Sequence, residues 1–197
     1  MLVMLLSVAA LAGCFNLDLA ASRAPEAETM PGTRDAAYAL YAVPKSLKEG
    51  RPHAVEVAQL PTAFIERVVD GDTLIIHYQD DRDRLRLLGI DAPESSANPD
   101  EKRQTAEGDI VSDIVKDLLT GQTVYLEFDK SPRDQYGRLL AYVWLDDDTQ
   151  INESLVLSGL ATVVRFPPNT AYYQYFRSLN EEAKTRGLGF YRDRWEK

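Results

Sequence analysis

Residues 62–90 read TAFIERVVDGDTLIIHYQDDRDRLRLLGI. Two runs rich in β-branched and aromatic residues, Thr62–Val69 and Thr73–Tyr78, flank an Asp-Gly-Asp turn signal. A second polar turn is expected over Asp80–Asp83, followed by a strand over Arg84–Ile90. The stretch therefore predicts three consecutive strands joined by short turns.

The chain downstream of this stretch combines further strands with helices. Two strands are expected, at Val124–Phe128 and Leu139–Leu145. Apolar residues at helical spacing predict helices that end at glycines; these cover Ile110–Leu118, Ile151–Ser158 and Tyr172–Arg186. This order predicts an α+β domain over residues 61–197: a five-stranded OB-type Greek-key β-barrel with about three packed helices.

The N-terminus has the pattern of a processing signal. Met1–Gly13 is an apolar run too short to span a bilayer but typical of a secretory signal. The residues Leu11-Ala12-Gly13-Cys14 resemble a bacterial lipobox, in which the cysteine is lipidated; the other interpretation is a cleaved signal with an incidental cysteine. Because Cys14 is the only cysteine and lies at the required position, we expect an exported protein, lipid-anchored to the cell envelope.

A tether is expected between this signal, residues 1–14, and the domain. Residues 15–60 carry prolines and glycines with little periodicity, and a short helix over Asp35–Val43 is the exception that the sequence suggests.

Composition limits the chemistry. One cysteine excludes an intramolecular disulfide and a cysteine-based zinc site, and two histidines leave little room for histidine-centred catalysis. The net charge of −9 repels polyanions at long range. Phosphate binding would therefore need a local positive site, a bound cation or high salt.

Two carboxylates are candidates for a metal site. Asp72 begins the second strand and Asp91 follows the third, so adjacent antiparallel strands could bring them together. Carboxylate oxygens favour Ca²⁺ or Mg²⁺ over zinc or copper. Taken alone, Asp70-Gly71-Asp72 is equally well explained as a hairpin turn.

Three further charged residues suit phosphodiester chemistry. Arg86 and Arg138 could donate paired hydrogen bonds to phosphate oxygens, and Glu94 could accept a proton from water. Each also has a simpler interpretation. Arg86 could be a surface arginine paired with an acid, Arg138 a cation in a turn, and Glu94 an exposed loop glutamate.

Together these motifs resemble the staphylococcal nuclease (thermonuclease) family over about Thr62–Tyr191. The resemblance rests on VDGDT at 69–73, RLRLLGIDAPE at 84–94, FDK at 128–130, YGRLLAYV at 136–143 and NESLVLSGLA at 152–161. It implies an OB-fold endonuclease that uses calcium to hydrolyse DNA and RNA, cutting the 5′ P–O bond and leaving 3′-phosphates.

The resemblance also implies residue roles. Asp72, Asp91 and the backbone carbonyl of Ala92 would bind calcium, with Asp70 near the metal. Arg86 and Arg138 would be the catalytic arginines, Glu94 the general base, and Tyr136 would contact a substrate phosphate.

Several positions depart from the family pattern. Ala92 replaces a threonine, Gln135 replaces a phosphate-binding lysine, and Val163–Pro168 replaces a segment with two nucleotide-pocket tyrosines. Base stacking would then fall to Phe166 or Tyr172, or be weaker than in the type enzyme.

The domain is acidic. Residues 62–197 carry 17 Lys and Arg against 25 Asp and Glu, a net charge of −8, whereas the type enzyme is basic. We expect a monomer. The alternative function is a catalytically weak OB module that binds nucleic acid or protein.

Overall fold

The computed structural model describes residues 40–194. The described strands are β1 Thr62–Asp70, β2 Thr73–Tyr78, β3 Asp81–Leu87, β4 Ile90–Asp91, β5 Thr123–Glu127, β6 Leu139–Trp144 and β7 Thr162–Val163. The α-helices are α1 Lys45–Lys48, α2 Ala106–Leu119, α3 Ile151–Leu157 and α4 Tyr173–Thr185, with 3₁₀ turns at Val57–Gln59 and Gly189–Arg194. None of these helices has the length and apolarity of a membrane span. The expected signal peptide and Cys14 lie outside the described residues.

Five strands close into a barrel in the order β1-β2-β3-β6-β5. All neighbours are antiparallel except β3 and β6, which are parallel. The predicted five-stranded OB-type α+β fold is confirmed, with three helices of seven residues or more packed on the barrel. A separate two-stranded sheet pairs β4 with β7.

The third strand differs from its prediction. It runs over Asp81–Leu87 instead of Arg84–Ile90, because Tyr78 of β2 already pairs with Asp81 after a tight turn at Gln79 and Asp80. Polar residues are tolerated at this end of β3 because their side chains are largely exposed. Gly89, with φ of +75°, then turns the chain into β4.

Alternation along β3 sets which side chains can form a site. Leu85 and Leu87 point into the barrel and are almost fully buried. Arg84 and Arg86 therefore lie on the outer face of the strand.

The segment before the barrel packs on the domain. Residues 40–60 have little regular structure, and Leu40, Val43 and Val57 are buried in the core. Leu40 to Val43 are not helical, and the rest of the helix expected over Asp35–Val43 lies outside the described residues. The part of the expected tether that the structure describes is therefore an integral part of the fold.

Candidate active site

Asp72 is held by the packing of the β1–β2 turn. A Cβ added at Gly71 would lie 2.7 Å from Cγ1 of Val111 on α2 and 2.8 Å from Cβ of Ala92. Only glycine allows this close approach, so the turn is pressed against α2 and the chain after β4.

Arg86 is the centre of a hydrogen-bond network. Its Nη2 donates to Oδ1 of Asp91 at 2.8 Å and lies 2.9 Å from Oδ2 of Asp72. Its Nη1 donates to the carbonyls of Leu87 and Ile90, both at 2.8 Å. These contacts fix the plane of the guanidinium.

The Asp72 carboxylate is buried and depends on neighbouring positive charge. Burial raises its pKa, while the charge of Arg86 and the N–H of Ala92, which donates to Oδ2 at 2.8 Å, act in the opposite direction. Thr73 Oγ1 donates to Oδ1 at 3.0 Å. Both oxygens of Asp72 therefore accept a hydrogen bond, and Arg86 supplies positive charge beside them.

The donor set fits a hard divalent cation. Asp72 and Asp91 direct oxygens at the same nitrogen of Arg86, so the two oxygens lie within two hydrogen-bond lengths of each other. Between residues 40 and 194, no cluster of three acidic, histidine or cysteine side chains is placed to hold a metal. Further ligands would be backbone oxygens, as the resemblance implies for Ala92, and water.

Glu94 is ionised and oriented by its neighbours. Asn98 Nδ2 donates to Oε2 at 2.6 Å, and Arg103 Nη2 forms an ion pair with Oε1. Burial favours the neutral form, but hydrogen bonds from Asp70 and Asn98 and the charge of Arg103 hold the pKa of Glu94 below its usual value. Burial, followed by the hydrogen bond with Glu94, raises the pKa of Asp70 to about 6.

Arg138 is aligned by Asp134 across a tight turn. The Asp134 carboxylate accepts from Arg138 Nε at 2.7 Å and from the backbone N–H groups of Tyr136 and Arg138, both at 2.9 Å. Gly137, with φ of +80°, allows this turn. Asp134 thus holds Arg138 through Nε, and Arg138 lines the cleft.

These groups meet in one cleft. A cavity of about 650 Å³ is lined by Asp83, Arg84, Arg86, Asp91, Glu94, Arg103, Tyr136, Gly137 and Arg138. An adjoining cavity of about 210 Å³ shares most of these residues and adds Asp70 and Asp72. Ala92 adjoins the smaller cavity through its N–H, which donates to Oδ2 of the lining residue Asp72. The structure therefore brings together all the predicted site residues, and their roles stay predictions.

Three cleft residues were missed by the sequence reasoning: Arg84, Asn98 and Arg103. Arg84 could have been found, because its two-residue spacing from Arg86 places both on one strand face. Asn98 and Arg103 lie in an irregular loop. Such a loop has no periodic pattern from which the direction of its side chains can be predicted.

The two candidates for base stacking are placed differently. Phe166 lines a third cavity of about 430 Å³ with Tyr136 and Pro167. Tyr172 is fully buried and donates to Glu127 Oε2 at 2.9 Å. The prediction that Tyr172 stacks on a base is therefore wrong, and Phe166 remains the candidate.

Comparison with known proteins agrees with this architecture. Residues 84–193 match the sequence model of the family described as staphylococcal nuclease homologue. A thermonuclease of Staphylococcus intermedius is 40% identical over 134 residues, which are 68% of this chain and 76% of that protein. Endonuclease YncB of Bacillus subtilis (strain 168) is 38% identical over 146 residues, 73% of this chain and 68% of that protein. A thermonuclease of Staphylococcus hyicus is 40% identical over 123 residues, 62% of this chain and 71% of that protein. The chain belongs to the staphylococcal nuclease family.

Proposed function

We propose that this protein is a calcium-dependent nuclease that hydrolyses phosphodiester bonds in DNA and RNA and leaves 3′-phosphate products. The observation that carries the proposal is the convergence of Arg86, Glu94 and Arg138 on one open cleft, beside the carboxylates of Asp72 and Asp91. The relatives named as thermonucleases and as an endonuclease support the same reaction class.

Arg86 and Arg138 would bind the scissile phosphate. Both line the cavity. Arg86 is oriented by two carbonyls at Nη1 and by Asp72 and Asp91 at Nη2, and Arg138 is oriented by Asp134 at Nε. As water adds to phosphorus, negative charge grows on the non-bridging oxygens. Preorganised guanidinium donors therefore stabilise the transition state more strongly than the ground state.

Glu94 would accept the proton of the attacking water. Its lowered pKa keeps the carboxylate ionised at neutral pH, and Asn98 and Arg103 hold its orientation. The proton leaves water as the new P–O bond forms, and the 5′ oxygen departs with the bonding pair.

Calcium would be held by Asp72, Asp91 and the Ala92 carbonyl. When bound, it supplies positive charge that lowers the pKa of coordinated water and neutralises phosphate charge.

Digestion of single-stranded DNA and of RNA tests this proposal. Cleavage is expected with calcium and is abolished by EDTA, and the new ends should resist 3′ extension until a phosphatase is added. The proposal fails if the purified protein leaves both substrates intact at every calcium concentration.

We also propose export and lipid anchoring through Cys14, with a monomeric domain. Cys14→Ser should move the protein from the membrane to the soluble fraction, and continued membrane fractionation of the variant would reject the anchor. Light scattering of the soluble variant should give the mass of one chain.

A further inference from the structure

Arg84 is a cleft arginine that has no acidic partner among residues 40–194. Four arginines line the larger cavity: Arg84, Arg86, Arg103 and Arg138. Three of them have carboxylate partners, namely Asp91, Glu94 and Asp134. In the part of the chain that the structure describes, the Arg84 guanidinium makes no hydrogen bond or ion pair.

The position of Arg84 follows from the strand pairing. It lies two residues from Arg86 on the outer face of β3, a separation of about 7 Å along the strand. Leu85 pairs with Leu139 across the parallel β3–β6 ladder, so Arg138, which precedes Leu139, lies beside Arg84. Arg86, Arg84 and Arg138 therefore form a strip of arginines along the cleft, in which Arg86 and Arg138 are paired with carboxylates.

Within the part of the chain that the structure describes, no carboxylate pairs with Arg84. The neighbouring carboxylate of Asp83 is engaged by Arg133, at 3.1 Å and 2.5 Å. Adjacent like charges across a ladder repel each other. In a chain with 31 Asp and Glu against 22 Lys and Arg, an unpaired arginine beside another arginine points to an anionic ligand.

We propose that Arg84 binds the phosphate adjacent to the scissile phosphate of the substrate strand. The inference rests on the proposed function, which places the scissile phosphate on Arg86 and Arg138. A guanidinium donates two parallel hydrogen bonds to such a phosphate, and its exposure lets a single strand reach it. Arg84 thereby supplies a phosphate contact in a protein where Gln135 replaces the lysine that the family resemblance leads one to expect.

The test is oligonucleotide binding by the full-length Glu94→Gln chain, which separates affinity from turnover. Two ligands are compared in calcium buffer: a dinucleoside monophosphate with one phosphate, and a single-stranded hexanucleotide. Arg84→Gln is combined with Glu94→Gln, and the matched control is Arg177→Gln, which removes an exposed arginine on α4 away from the cavities. Thermal melting verifies that each variant is folded.

Arg84→Gln should weaken hexanucleotide binding about tenfold more than dinucleoside binding, and reduce the slope of log affinity against log salt by about 0.7. Equal losses for the two ligands, or a hexanucleotide loss no larger than that of Arg177→Gln, would overturn the inference. If Arg84→Gln has the expected effect on binding but the wild-type chain cleaves no nucleic acid, the proposed function alone is overturned. Cleavage without the Arg84 effect would overturn only this inference.

Discussion

Gly108 of α2 lies directly against the backbone of Glu94. A Cβ added at position 108 would lie 2.1 Å from the Glu94 carbonyl oxygen and 2.7 Å from the Ser95 nitrogen. The same carbonyl accepts from Thr105 N at 2.9 Å, and the Thr105 hydroxyl accepts from Gly108 N at 3.0 Å. The first turn of α2 therefore positions the backbone from which the Glu94 carboxylate extends.

Gly108→Ala should lower both activity and stability. Alanine in a helix normally stabilises by about 1 kcal/mol relative to glycine. Here the methyl group would overlap the backbone peptide between Glu94 and Ser95, so we expect a loss of about 1–3 kcal/mol in unfolding free energy. Displacement of Glu94 should reduce kcat by about tenfold or more. Urea unfolding and single-turnover cleavage measure the two effects.

The control is Asp113→Ala, an exposed position on the same helix whose ion pair with Lys116 is a surface pair. It should change neither quantity much. A Gly108→Ala protein that is more stable and fully active would show that α2 does not position Glu94.

Asp134→Ala tests the alignment of Arg138. Without the carboxylate, the Nε contact and two backbone hydrogen bonds are lost, so kcat/KM should fall about tenfold. Arg138→Lys should lose more, about 100-fold, because lysine cannot bind Asp134 and phosphate at once. Steady-state cleavage of DNA measures both.

Asp147→Ala is the matched control, since it removes an exposed acid from a turn outside the cleft. Equal kcat/KM for Asp134→Ala and Asp147→Ala would mean that Asp134 does not align Arg138.

Much of the fold could be predicted because it depends on local patterns. The β1–β2 hairpin follows from alternation around an Asp-Gly-Asp turn, and α2 from its apolar spacing. The start of β3 could not be placed, since Asp81 to Asp83 resemble a turn by composition and become a strand by pairing with β2.

The charged residues of the candidate site could be predicted from the sequence, but the contacts that orient them could not. Arg86 and Glu94 stand out as charges in a motif, but the Arg103–Glu94 ion pair depends on how an irregular loop folds back. The docking of residues 40–60 depends on contacts such as Arg51 with Glu153, which are separated by 102 residues. Glu153 is an acidic residue within α3, whose residues are all buried. An acid in such a buried helix indicates a basic partner from elsewhere in the chain.

Arg51→Met should destabilise the fold in a pH-dependent way. Arg51 donates to both oxygens of the buried Glu153 carboxylate at 2.7 Å. Burial raises the pKa of Glu153, and Arg51 opposes that rise. Without Arg51, folded Glu153 binds its proton more tightly than unfolded Glu153 does, so stability falls as pH rises through its pKa.

We expect Arg51→Met to cost about 3 kcal/mol at pH 8 and less at pH 5 relative to the wild type. Arg51→Met combined with Glu153→Gln should recover part of the loss. Urea unfolding at the two pH values measures this, with Arg82→Met as control because its pair with Glu66 is on the surface. A loss from Arg51→Met that is equal at both pH values would contradict this account.

Removal of the N-terminal segment should show where the domain begins. A chain that starts at residue 40 keeps the buried side chains of Leu40, Val43 and Val57, the Arg51–Glu153 ion pair and the hydrogen bond between His53 and Glu127. A chain that starts at residue 61 loses all of them and should lose at least about 3 kcal/mol of unfolding free energy. Thermal melting compares the two; equal midpoints would mean that residues 40–60 contribute nothing to stability.

The most direct test of the central claim, that Glu94 activates water in the Arg86–Arg138 cleft, is the single-turnover rate of DNA cleavage by Glu94→Gln with saturating calcium. The rate should fall about 1000-fold while DNA affinity and melting temperature stay close to wild type. A rate within about threefold of wild type under the same conditions would contradict the account, because a general base that contributes so little falls outside the range expected of such catalysis.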